Sequence, residues 1–238
     1  MLLVEDLRLA FSGVHALQGA EISAQRGSIT GLIGPNGAGK TTAFNCVSRI
    51  QDVDSGTITL EGENLLGHGP SDLVRLGVAR TFQHVSLFES LNVRDNLRVG
   101  EHASRHHRGD ADRRAWSLDD VIQLLDLGDE LGRDVGALPL GTQKRVELGR
   151  ALAAAPRLLM LDEPAGGLTH DEVIQMRDLL RALNQDLGVT VLVVEHHMEM
   201  VMSLCDHIVV LATGKTIASG PPATIQADAE VGRVYLGA

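Results

Sequence analysis

The sequence predicts an α/β protein: a core built on a mainly parallel sheet, with an N-terminal antiparallel β subdomain and an inserted α-helical subdomain. Three observations carry that expectation. A short apolar run, Ile29 to Ile33, passes through a glycine-rich turn into Ala43 to Val47, which holds no helix breaker. A second apolar run, Leu158 to Leu161, lacks polar alternation and ends in Asp162-Glu163, as a strand covered on both faces does. Between them, from about His84 to Ala154, the pattern is mostly helical.

The remaining elements follow in order. Leu2 to Phe11 alternates as a strand, and Leu17 to Ala24 as a second one before Gln25-Arg26-Gly27. Phe11 stands at a strand end, where its ring is open to two uses, packing in the core or stacking on a base. Thr57 to Leu60 reads as a strand, and Pro70 to Gly77 as a short helix with a serine cap and a glycine stop. Val78 to Phe82 reads as a buried strand ending at Gln83, either a ligand contact at the carboxyl end of a sheet or a solvated loop glutamine. Asn92 to Val99 suits a helix, and Ser117 to Leu127 an amphipathic one through Leu118, Val121, Ile122 and Leu125. The polar stretch Glu101 to Arg114 carries His102, His106 and His107 without an evident fourth ligand, so no metal is assigned there. Leu138 to Arg145 opens a helix whose Leu148, Ala151, Leu152 and Ala155 share one face. Asp171 to Leu183 is helical with Val173, Met176, Leu180 and Leu183 inward; Thr190 to Val194 is a strand ending in Glu195-His196-His197. His207 to Leu211 and Lys215 to Ala218 close the core, and a short tail follows Pro221-Pro222.

Composition narrows the function classes. A chain of 238 residues, 44% hydrophobic and 22% charged, can bury a sizeable core. Its net charge of −10, with no run of like charges, speaks against a nucleic-acid-binding face. Cys46 and Cys205 are far apart and lack C-x-x-C spacing, so neither a disulfide framework nor a zinc site is expected, and a reduced, intracellular setting fits. Met1 to Asp6 has no basic start, so no signal peptide is expected. No apolar run approaches the roughly 20 residues that cross a bilayer, so any membrane role is expected to run through a partner.

The chemistry is concentrated at Gly34-Pro35-Asn36-Gly37-Ala38-Gly39-Lys40-Thr41-Thr42, which fits the G-x-x-x-x-G-K-[ST] phosphate loop between a strand and a helix. Glycines let successive N–H groups converge on one anion, and the helix behind them points its positive end at the same place. Lys40 then reaches the β- and γ-phosphates, and the Thr41 hydroxyl serves Mg²⁺. Only three of the 21 basic residues are lysines, so Lys40 is not background. Two acids ending a buried strand are costly unless they meet a cation or polar ligand. Asp162 is the natural Mg²⁺ partner and Glu163 the natural water-activating group. His196, at another strand end, is either structural or a neutral contact to phosphate.

These pieces, in this order, resemble the ATP-binding subunits of ABC transporters over essentially the whole chain. GPNGAGKTT is the first phosphate motif, Gln83 falls at the family's Q-loop, LPLGTQKRVELGRAL stands at its signature sequence, LLMLDEP is the second acidic motif, and His196 falls at the switch histidine. The resemblance implies the ABC ATPase fold, divided as residues 1–83, core; 84–154, helical subdomain; and 155–238, core and tail. It implies ATP and Mg²⁺ as ligands, with Lys40, Gln83, Glu163 and His196 catalytic, Thr41, Gln83 and Asp162 at the metal, and Phe11 at the base. It further implies a head-to-tail pair of ATPase chains in which Gly141 and Thr142 face the partner's nucleotide, the second chain being a paralogue rather than a copy. Integral-membrane permease subunits, an external substrate-binding protein beyond them, and a cytoplasmic position at the inner face of the membrane complete the implied setting, with no nucleic acid.

More narrowly, Thr81-Phe82-Gln83-His84, Phe44-Asn45-Cys46, Glu195-His196-His197-Met198 and Tyr235-Leu236-Gly237 resemble the LivG-type ATPases of branched-chain amino-acid uptake. Other amino-acid or amide uptake, lipopolysaccharide export, and a soluble ATPase acting on nucleic acid or ribosomes are the alternatives. Two departures stand out. Pro139 and Leu140 replace the serine and first glycine of L-S-G-G-Q, and proline offers neither hydroxyl nor N–H. One lost charge-assisted hydrogen bond costs about 1.5–3 kcal/mol at that half-site. Thr169 replaces the aspartate common after the second acidic motif.

Overall fold

The computed structural model describes residues 1–104 and 116–236. His106 and His107 lie outside them. In chain order the N-terminal half holds strands β1 (Leu2–Phe11), β2 (Val14–Ala24) and β3 (Ile29–Ile33), helix α1 (Lys40–Val47), strands β4 (Ser55–Leu60) and β5 (Glu63–Asn64), helix α2 (Pro70–Arg75) and strand β6 (Val78–Arg80). Helices α3 (Val93–Ser104), α4 (Leu118–Leu124) and α5 (Leu140–Ala153) follow, then β7 (Leu158–Asp162) and α6 (His170–Leu187). The chain closes with β8 (Thr190–Val194), α7 (Met198–Leu204), β9 (His207–Ala212), β10 (Lys215–Gly220), α8 (Pro222–Ala227) and α9 (Ala229–Leu236).

The chain divides into two units, one of residues 1–73 and 190–238, the other of residues 74–189. In the first, β2, β1, β4 and β5 form an antiparallel sheet in that order, and a second sheet runs β10-β9-β3-β8. There β3 pairs in parallel with β8 and with β9, while β10 returns antiparallel to β9. All five residues of β3 and all five of β8 are buried, the burial expected of a parallel sheet clad on both faces. In the second unit β6 and β7 pair in parallel, Val78 opposite Leu158 and Arg80 opposite Met160. Both units are α/β, with the antiparallel N-terminal sheet and the helical segment that the sequence predicts.

Differences from the sequence reading are local. Strand β2 begins at Val14 rather than Leu17 because the turn at Ser12 and Gly13 is a tight one, with both residues at positive φ and Phe11 paired to Val14. Ser71 does not cap α2; the Asp72 carboxylate instead accepts from the Gly69 N–H at 3.1 Å. The face of α5 keeps Leu148, Ala151 and Leu152, but Ala155 lies beyond its end at a φ of 48°. Val173 is only half-buried on α6, while Met176, Leu180 and Leu183 face inward. Helix α7 was not expected from the sequence; it packs Val201 and Cys205 over Gly31, where even a Cβ would stand 2.8 Å from the Cys205 sulfur. Both cysteines are buried. Among the described residues no helix is long and apolar enough to cross a membrane.

Thr169 has a structural use. Its hydroxyl accepts from the Glu172 N–H at 3.4 Å, and the Glu172 carboxylate accepts from the Thr169 N–H at 2.8 Å, a capping box that starts α6. The Thr169 N–H, joined by the Thr169 hydroxyl donating to the same carboxylate oxygen at 2.8 Å, holds Glu172 below the usual carboxylate range. Thr169→Ala removes the cap, which is worth about 1 kcal/mol; a thermal melt is expected to show the midpoint lower by about 2–4 °C.

Candidate functional site

In the first unit the site is a loop of backbone. Strand β3 ends at Ile33, and Gly34 follows at a φ of 152°, so close to β9 that a Cβ would meet the Leu211 carbonyl oxygen at 2.1 Å. Gly39, at 99°, caps α1, and a Cβ there would stand 2.7 Å from the Ala16 carbonyl oxygen. Between them the Ala38 N–H bonds the Pro35 carbonyl at 3.1 Å and the Gly214 N–H bonds the Ala38 carbonyl at 2.9 Å, so β-turn and neighbouring loop hold the curve. Lys40 folds back over this loop, its Nζ donating to the carbonyls of Gly34 at 2.7 Å and Pro35 at 3.0 Å. Asn36, Gly37 and Thr41 are exposed and Thr42 is half-buried, the exposure a bound anion needs. Glycine flexibility, helix start and lysine thus meet as the spacing predicts.

The loop has a further partner that the sequence reading did not foresee. The Tyr235 hydroxyl on α9 is hydrogen-bonded to the Gly34 backbone, and burial pushes its phenol up to about 12. No local pattern in the tail announces this contact. Phe11 ends β1 with 44% of its surface exposed, so it is not a core aromatic. At the end of β8, Glu195 is buried and its Oε2 accepts from the N–H groups of His196 at 2.9 Å and His197 at 3.2 Å. The carboxylate therefore fixes the turn from which the exposed His196 imidazole projects, tilted against His197 at 4.6 Å between ring centres. A charged residue directly after an apolar strand is the sequence signal for Glu195.

In the second unit the ends of β6 and β7 are fastened together residue by residue. The Thr81 N–H donates to the Met160 carbonyl at 2.9 Å, and the Asp162 N–H reaches the Thr81 hydroxyl at 3.4 Å. Arg80 donates to Asp162 Oδ2 at 2.8 Å, both side chains being deeply buried. Gln83 donates through Nε2 to Glu163 Oε2 at 3.0 Å. Burial pushes the Asp162 carboxyl up, opposed by the hydrogen bond and charge of Arg80 and reinforced by the charge of Glu163. Glu163 holds a φ of 50°, a backbone conformation costly for a non-glycine residue, and its carbonyl accepts from Gly166 N–H at 3.0 Å and Lys144 Nζ at 3.3 Å. So Gln83, Asp162 and Glu163, separated by some 80 positions, are brought together.

The helix at the signature position shows what Pro139 and Leu140 do. Pro139 caps α5 without a side-chain hydrogen bond, and Leu140 is exposed beside Gly167. Gly141 lies against Glu172, whose Oε1 would stand 2.9 Å from a Cβ there. Thr142 is buried, with Arg145 donating to its hydroxyl at 3.4 Å, so it offers its N–H at the helix start rather than its side chain. Deeper on α5, buried Glu147 accepts from the N–H groups of Ser86 at 3.1 Å and Phe82 at 3.5 Å. Arg150 donates to the Ser86 carbonyl and lies over the Phe88 ring at 5.3 Å. The segment just after Gln83 is tied to the signature helix by these two side chains, neither of which the sequence reading singled out.

Residues 17–166 match the family model described as ABC transporter. The chain belongs to the ABC transporter family. ABC transporter relatives match it almost end to end. The high-affinity branched-chain amino acid transport ATP-binding protein BraF of Pseudomonas aeruginosa is 36% identical, over 98% of this chain and 96% of its own. The corresponding LivG of Salmonella typhimurium is 37% identical, over 100% and 98%. The lipopolysaccharide export system ATP-binding protein LptB of Escherichia coli is 33% identical, over 99% and 97%. Among solved structures, the ADP conformation of MJ1267, an ATP-binding cassette of an ABC transporter, superposes with a TM-score of 0.85 at 27% identity, covering 100% and 99% of the two chains. The cbiO1 subunit of an ABC transporter complex from Clostridium perfringens gives 0.83 at 28%, covering 98% and 92%. The ABC ATPase fold is thereby shown, and with it a chain that binds nucleotide.

Gly39→Ala strains a positive φ and drives a Cβ against the Ala16 carbonyl, so nucleotide affinity, measured by calorimetry, is expected to fall at least about tenfold, the equivalent of 1.4 kcal/mol. Glu147 is pushed above its ordinary value of about 4.3 chiefly by burial, against the pull of the Ser86 and Phe82 N–H groups, Arg150 and Lys144. A carboxyl raised by folding binds protons more tightly in the folded state, so its contribution to stability falls as pH rises from the unfolded value through the raised one. Urea unfolding at a series of pH values is expected to show that downward slope in the wild type and a flatter one in Glu147→Gln.

Proposed function

We propose that this chain is the ATP-binding and hydrolysing subunit of an ABC importer for branched-chain or other hydrophobic amino acids. The supporting observation is the 36–37% identity to BraF and LivG across nearly the full length of both partners. LptB, at 33% over a similar span, favours lipopolysaccharide export as the second reading.

The residue roles draw on both units and on the order of the motifs. Backbone N–H groups from Gly34 to Thr42, with Lys40, bind the phosphates, and Phe11 stacks on the base. Thr41, Asp162 and Gln83 offer a hydroxyl, a carboxylate and an amide, all oxygen donors of the kind Mg²⁺ takes; a bound Mg²⁺ supplies positive charge to the phosphoryl oxygens. Glu163 takes a proton from the attacking water as the new O–P bond forms and the bond from the γ-phosphorus to the bridging oxygen breaks. Gln83, already on Glu163 Oε2, orients that carboxylate. His196, carried on the turn that Glu195 fixes, steadies the γ-phosphate. Gly141 and Thr142 present the start of α5 to the nucleotide of a second ATPase chain, a paralogue whose own signature helix faces the nucleotide on this chain.

In functional terms residues 1–83 and 155–238 form the ATPase core, and 84–154 the lever that bears on integral-membrane permease subunits. The chain works at the cytoplasmic face of the membrane, with an external binding protein delivering cargo and no nucleic acid involved. Co-purification from native membranes is expected to yield an integral-membrane permease and a second ATPase, and vesicles carrying that assembly to accumulate labelled leucine. A complex that instead carries lipopolysaccharide and no amino acid overturns the import reading. Glu163→Gln is expected to keep ATP affinity within about twofold while lowering hydrolysis at least about 100-fold, the low end of what a general base supplies; steady-state phosphate release checks it.

A further inference from the structure

Asp162 is held in a way that the roles above do not use. Its side chain is 5% exposed, and one oxygen, Oδ2, meets the Arg80 guanidinium, itself 9% exposed, at 2.8 Å. Arg80 in turn lies over the Phe82 ring at 5.2 Å. Both ends of the pair are set by backbone: Arg80 is opposite Met160 in the β6–β7 ladder, and the Thr81 hydroxyl takes the Asp162 N–H at 3.4 Å.

A buried ion pair is weak evidence for stability, because desolvating two charges can outweigh their attraction. Here the desolvated carboxylate stands at the end of a central strand, where a rotamer error of one ångström would misplace a ligand. A guanidinium is permanently charged and planar. Fixed on a neighbouring strand and stacked on an aromatic ring, it can hold one carboxylate oxygen and leave the other to a cation.

We propose that Arg80 is a positioning residue for the divalent-metal carboxylate: it grips Asp162 by Oδ2 so that Oδ1 is presented to the nucleotide-bound cation. The inference rests on the reading of Asp162 as a metal residue. It also excludes the opposite role, in which Arg80 competes with the cation for Asp162.

The test uses the purified full chain with Mn²⁺ and a non-hydrolysable ATP analogue, reading free Mn²⁺ by electron paramagnetic resonance. Arg80→Met is expected to weaken Mn²⁺ binding about tenfold or more, the usual effect of removing a group that orients a metal ligand. Affinity for the analogue in excess chelator is expected to be unchanged. Arg80→Gln, which keeps a polar group in the buried position, carries the same expectation should the methionine variant not fold. Mn²⁺ binding that is unchanged or tighter in the folded variant overturns the proposal. Asp162→Asn separates the two levels. If it leaves Mn²⁺ affinity intact, the metal role of Asp162 falls and the inference with it; if it weakens binding and Arg80→Met does not, the inference alone falls.

Discussion

The parallel pairing of β6 with β7 is the constraint on which the second unit's chemistry depends. Backbone hydrogen bonds in a parallel ladder fix register to the residue, so pairing Arg80 with Met160 determines which side chains stand together beyond the strand ends. Arg80 then meets Asp162, Thr81 meets the Asp162 N–H, and Gln83 meets Glu163. A slip of one residue would turn every one of these side chains to the other face. Two acids at the end of an apolar strand are tolerable because each finds a partner on the neighbouring strand or its continuation.

The first unit uses a different device. Its anion site is made of main chain, and what must be controlled is the path of the backbone rather than a set of rotamers. Within the loop, Gly34 and Gly39 stand where a neighbouring carbonyl leaves no room for a Cβ. The lysine bonds to the loop's own carbonyls, and the Tyr235 hydroxyl meets the Gly34 backbone from the tail. A loop held on several sides keeps its N–H groups aimed outward without reorganising when an anion arrives.

Helix α5 is tied to the segment that follows β6. Glu147 and Arg150 hold the 82–88 segment through its backbone, which fastens the stretch around Gln83 to the helix that Pro139 caps. Burying Glu147 raises its proton affinity, a cost that two backbone N–H donors and nearby cations offset only in part. Thr169, where the family's aspartate is absent, instead serves as the cap of α6.

Much of this was legible in the chain itself. The apolar runs at Ile29, Leu158 and Thr190 have no alternation, which only strands buried on both faces allow, and the G-x-x-x-x-G-K-T spacing specifies a backbone anion site through local sterics. Those features are short-range, so the sequence alone determined the fold class, the phosphate loop and the identities of Asp162, Glu163 and Gln83 as candidates. Contacts between residues far apart in sequence were not legible. Arg80 reads as a strand arginine, Glu147 as one acid on an amphipathic helix, and Tyr235 as a tail aromatic until the strands and helices are packed. Tertiary structure decided their partners, because a hydrogen bond or ion pair across 40 to 200 positions depends on register and burial that no local pattern encodes.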